Sequence, residues 1–119
     1  MIAVIFEVLP AKGERDTYLG IAADLRPSLD GIDGFISIER FQSLADPNKL
    51  LSLSFWRDEE AVKAWRNGAE HRAAQEAGRR GVFADYRLRI AAVVRDYGLN
   101  DRRETPDDSR QWHDETRAG

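Results

Sequence analysis

Eight residues near the start of the chain, Ile2 to Leu9 (IAVIFEVL), are aliphatic or aromatic at every position except Glu7. No other feature limits the fold as much. A run with so little polar alternation fits a strand covered on both faces. It must therefore lie in the interior of a sheet, and the rest of the chain has to supply strands on either side of it and a layer above it. With 119 residues, 42% of them hydrophobic, there is material for one core and no second domain.

The remaining elements follow in order. Pro10 and Gly13 end the first strand. From Glu14 the spacing Tyr18, Ile21, Ala22, Leu25, Leu29 is that of a helix burying one stripe, with Arg15, Asp16, Asp24 and Arg26 in water. Pro27 inside this pattern predicts a kink or a loosened last turn, because proline lacks the N–H donor and crowds the preceding turn. Asp30-Gly31 and Asp33-Gly34 mark a turn. Residues 35–42 (FISIERFQ) alternate as a strand, with Ile36 and Ile38 on one face and Phe35, Ser37, Glu39 and Phe41 on the other. Asp46-Pro47-Asn48 is a turn signal that makes a hairpin with residues 50–56 (LLSLSFW). Asp58 can cap the next helix, and Glu59 and Glu60 favour its positive end. That helix holds Ala61, Val62 and Trp65, breaks at Gly68 and resumes through an Ala-rich segment in which His71, Ala74, Gln75 and Gly78 share a face. Residues 82–97 alternate through Tyr86, Leu88 and Ile90 against Arg87 and Arg89, a long final strand. Ten of the 21 residues from 99 to 119 are charged, so this part is expected to be an unstructured tail following a domain of residues 1–98.

The order β-α-β-β-α-β is that of a ferredoxin-like α+β sandwich, with an antiparallel sheet and both helices on one side. The other side of the sheet would keep Phe35, Phe41 and Trp56 uncovered, and a second copy packed sheet to sheet, a homodimer, is the expected cover.

Composition excludes several functions. A net charge of −3 speaks against nucleic acid and anionic membrane as partners. The absence of cysteine rules out disulfides, thiol nucleophiles and Cys-ligated metal, and fits a reducing, cytoplasmic setting. Two histidines 42 positions apart do not make metal-ligand spacing. No export signal or apolar span is visible at the start of the chain.

Three stretches carry a resemblance: GFISIERFQS at 34–43, SLSFW at 52–56 and AWRNGAEH at 64–71. With the order of elements, they resemble the antibiotic-biosynthesis monooxygenase family of dimeric α+β barrels over roughly residues 1–98. The resemblance implies a cavity between helices and sheet in which a small hydrophobic or aromatic molecule, anthrone- or quinol-like, is oxidised by O2 with no cofactor and no metal. Such chemistry needs a dry pocket, a proton acceptor and a donor for the developing oxyanion. The candidates are Trp65 as wall, Asn67 as donor, His71 as proton acceptor, and Tyr86 or Arg87 from the last strand. Each has a plain structural alternative: Trp65 as core, Asn67 as a helix end, His71 as a packed histidine and Arg87 as a solvated strand residue. Haem degradation, another activity that the resemblance brings in, is disfavoured: the first strand has no Asn, and the position ten beyond Trp65 is Gln75. A non-catalytic dimer that binds a hydrophobic metabolite is the alternative from another class, and cyclisation or isomerisation in the same cavity is a third.

Overall fold

The computed structural model describes the backbone of residues 1–118, and the side chains of these except Ala69, Glu70 and residues 113–118. The elements are β1 (Ile2–Pro10), α1 (Arg15–Asp30), β2 (Phe35–Gln42), β3 (Leu50–Trp56), α2 (Glu59–Arg66), α3 (Ala69–Ala77), a π-helical turn over Gly78–Val82, β4 (Phe83–Ala92) and α4 (Asp107–Ala118). The sheet order is β2-β3-β1-β4, antiparallel throughout. The fold is therefore ferredoxin-like α+β, with the apolar run of β1 in an interior position.

Register decides which residues meet the helices. Ile2, Val4, Phe6 and Val8 of β1 stand beside Trp56, Ser54, Ser52 and Leu50 of β3 and beside Ala92, Ile90, Leu88 and Tyr86 of β4. On this face Val4 and Trp56 pack with Leu29, Ala61 and Val62, and Val8 and Leu50 pack with Tyr18. The opposite face carries Ile5, Leu51, Leu53 and Phe55, with Glu7 between Lys49 at 3.3 Å and Arg89 at 3.5 Å.

Two sequence expectations about the faces are corrected here. Trp56 is wholly buried under the helices, and its indole N–H donates to Ser54 Oγ at 2.9 Å. Phe35 joins it, edge to face at 5.2 Å. The cause is a register shift in β2: Phe35 pairs with Trp56 but Ser37 pairs with Phe55, so Ile36 is an extra residue. Such a bulge turns Phe35 to the helix face and pushes Ile36 into solvent. Of the three aromatics expected on the open face, only Phe41 remains there.

Three other boundaries differ. Helix α1 runs unbroken through Pro27 to Asp30. The final strand ends at Ala92, short of the expected 97. The tail is not unstructured, because Asp107–Ala118 is helical. Pro106 accepts from the Arg110 N–H, and Asp107 and Asp108 occupy the first turn, where the helix dipole favours carboxylates. The local start signal outweighs the charged composition. Among the described residues, no helix is long and apolar enough to cross a membrane.

Candidate functional site

Helices α1, α2 and α3 close over β3 and β1 but leave the β4 edge open. On the helix side of β4, Tyr86, Leu88 and Ile90 stay 53%, 49% and 43% exposed, although they share a face with the buried Val4 and Val8. Between them and the helices lies a cavity of about 390 Å³. Its floor is Val4 and Phe6 with Ser52 and Ser54, its roof comes from Tyr18 and Leu25 of α1, Trp65 of α2 and His71 and Gln75 of α3, and Arg40 closes the β2 end. A volume of this size suits a ligand of one to three rings.

The sequence places these groups by local rules. Asp58 caps α2 by accepting from the Ala61 N–H at 2.9 Å, which fixes the phase that turns Val62 and Trp65 inward. Gly68 starts α3 on a new axis, and this brings the His71 ring to 4.3 Å from the Trp65 ring. Trp65 in turn stacks on Trp56 at 5.0 Å and 25°. The indole of Trp65 is thus held between a fully buried ring and the histidine.

His71 Nε2 lies 3.2 Å from the Gln75 side-chain amide, one turn further along α3. With the amide nitrogen donating, the ring carries its proton on Nδ1; with the amide turned over, Nε2–H donates and Nδ1 is a free base. In either arrangement Nδ1 is buried and has no partner. Burial, and then the neighbouring Arg72 charge, push the His71 pKa down, so the neutral imidazole is favoured.

Two more buried polar atoms without partners belong to residues of the same cavity, the Tyr18 hydroxyl and Arg40 Nε. An orphaned buried polar group costs about 1–3 kcal/mol, and three such groups belong to residues of this one cavity.

Of the five site residues expected from sequence, Trp65, His71 and Tyr86 line this cavity. The structure does not bring the other two to it. Asn67 is exposed at the end of α2, where its side-chain oxygen accepts from Arg72. Arg87 stands beside Glu7 in the strand register on the opposite face of the sheet, because the strand alternation that turns Tyr86 inward turns Arg87 outward. Sequence reasoning missed Arg40 and Tyr18. The signal for Arg40 was its phase: it lies two positions from Ile38, a charged residue on the apolar side of a strand. Tyr18 was legible only as part of a core stripe. Among the described residues, no group of three or more His, Asp or Glu is placed to hold a metal ion.

Solved structures share the fold. Rv0793 from Mycobacterium tuberculosis superimposes with a TM-score of 0.73 at 14% identity, over 82% of this chain and 98% of that one. PA3566 from Pseudomonas aeruginosa gives 0.68 at 14% identity, over 78% and 93%. These define the class as ferredoxin-like α+β. The family follows from sequence: the antibiotic biosynthesis monooxygenase model matches residues 1–77, and the chain belongs to that family. A protein of Pyricularia oryzae named jasmonate monooxygenase is 48% identical over 120 residues; the match takes in all of this chain but only 56% of that protein, so the chain spans little more than half of its length. The Bacillus subtilis protein YqjZ is 36% identical over 94 residues, 78% of this chain and 79% of its own length.

Proposed function

We propose that this member of the monooxygenase family oxidises a small hydrophobic carbon acid with O2 and without a cofactor, using His71 as the base. The observation that carries the proposal is the juxtaposition on one cavity of Trp65 and a half-buried, neutral-favouring His71 whose Nδ1 has no partner. With the Gln75 amide turned to accept from Nε2–H, Nδ1 takes a proton from a CH2 flanked by activating groups. The resulting carbanion gives its electrons to O2 and forms a C–O bond. The imidazolium returns the proton to the peroxide, and loss of water leaves a carbonyl. The balance is CH2 + O2 → C=O + H2O, with the substrate itself as reductant. Trp65, Phe6 and Leu88 exclude water, which strengthens the electrostatic interactions inside. Tyr18 and Tyr86 supply hydroxyls for the developing oxyanion.

The assembly belongs to the proposal too. Ile5, Leu51, Leu53 and Phe55 form an apolar patch on the sheet face away from α1–α3, with exposed Phe41 beside it, and a second copy packed there would give a homodimer with one cavity per chain.

The test is oxygen uptake without added metal or flavin, on a panel of anthrones and quinols together with jasmonate, which the name of the Pyricularia oryzae relative brings in. Uptake above the uncatalysed rate that falls about a hundredfold or more in His71→Ala supports the base assignment. A chain that binds members of the panel and consumes no oxygen is a binding protein, the reading that the same cavity and its unpartnered polar atoms also serve.

A further inference from the structure

We infer that Arg40 makes the cavity a site for a carboxylate, so that the ligand is an apolar molecule with one anionic end. This rests on the proposal that the cavity is the ligand site. Arg40 stands on the helix face of β2, opposite Ser52, and its Nε–H is shut off from solvent with no acceptor. Among the described residues it makes no ion pair. At the end of an apolar floor, the Nε–H of this half-buried side chain has given up hydration without a protein partner in return, while its terminal nitrogens stay free to meet a ligand or water.

The charges around it point the same way. Arg66 and Arg79 also line the cavity, against Asp85 as the lining carboxylate. Asp85 is already engaged, accepting from the Tyr86 N–H at 2.8 Å. The ionised groups facing the space are therefore predominantly cationic in a chain whose net charge is −3. The two terminal nitrogens of a guanidinium offer paired donors, a geometry that matches a carboxylate better than a neutral group. The hydrophobic body would lie over Phe6 and Leu88 toward β4, and the acid group would sit at the β2 end. Arg40 is in this account a binding residue that sets which end of the ligand enters first.

The experiment compares 2-naphthylacetate with 2-naphthylacetamide, equal in size and different in charge, by quenching of tryptophan fluorescence in the full chain. The native protein is expected to prefer the carboxylate about tenfold or more. Arg40→Met, which keeps the aliphatic stem, should lose the preference and retain the amide affinity; Arg40→Lys should keep part of it. Equal affinities in the native chain, a preference that survives in Arg40→Met, loss of amide binding in that variant, or no binding of either probe each overturn the inference. Binding requires no turnover, so a carboxylate preference without oxygen consumption would leave this site standing while the oxygenase proposal fell.

Discussion

One sheet face is built in two ways. At its β2–β3 end Trp56 is fully buried, with Phe35 edge-on and Trp65 stacked against it. At its β4 end Tyr86, Leu88 and Ile90 have the same orientation and apolar character, yet each stays nearly half exposed. Composition does not separate the two ends; helix reach does. Helix α2 is anchored by its Asp58 cap directly after β3 and lies over that strand, whereas the short α3 and the turn that follows bring the chain back to the sheet without covering β4. The first end is where stability is made, and the second is where a ligand can be held.

The largest expected effect tests the packed end. Trp56→Ala should cost about 3–5 kcal/mol, read as a fall in Tm of more than about 10 °C, while Leu88→Ala on the hollow end should cost no more than about 1 kcal/mol. Equal losses would mean that the two ends are packed alike in solution and would remove the cavity. Gly34→Ala comes next, at about 2–4 kcal/mol by urea unfolding. Gly34 has φ +92°, and a Cβ there would lie 2.7 Å from the Ala61 Cβ, so the substitution strains the turn and wedges α2 away from the sheet.

A pH series gives a smaller effect at the hollow end. Burial holds the folded-state pKa of His71 below its ordinary 6.5, so in acid the unfolded chain binds the extra proton first. The contribution of the neutral ring is complete above about pH 6.5 and is lost as the pH falls, until the folded ring also protonates. Urea midpoints of the native chain should therefore drop more between pH 7 and pH 5 than those of His71→Asn. Parallel curves would place His71 in water. Smallest in stability and largest in ligand affinity, Leu88→Ala should weaken binding of 2-naphthylacetamide severalfold by titration; unchanged affinity would move the ligand off β4.

Much of this was legible in local pattern. A continuous apolar run located β1, alternation and turn chemistry located the other three strands, helical spacing located α1 and the broken α2–α3 pair, and the Asp58 cap was readable from its position before Glu59 and Glu60. Trp65 and His71 were recognisable as candidates through the family resemblance that the stretch AWRNGAEH at 64–71 carries, whereas their ring contact across the Gly68 break is visible only in the fold. Phe35, Trp56 and Arg40 were less accessible. A single extra residue at Ile36 reverses the face of Phe35, and no rule of alternation announces a bulge. Trp56 shares its phase with two serines, which made that side of β3 look like the polar one until the hydroxyl of Ser54 proved to be the partner of the indole.

What the sequence determined by itself is the set of elements from β1 to β4 and their order, because apolar runs, strand alternation, helical spacing, caps and turns act over a few residues and leave their period in the chain; helix α4 was not among them. What only the tertiary structure decided is which face of each strand is covered and how far the cover extends. Arg87 and Tyr86 are neighbours in sequence and belong to opposite sides of the sheet; Arg40 and His71 are 31 positions apart and line one cavity. Those relations depend on strand register and on where short helices come to rest, and both are set by contacts between residues far apart in the chain.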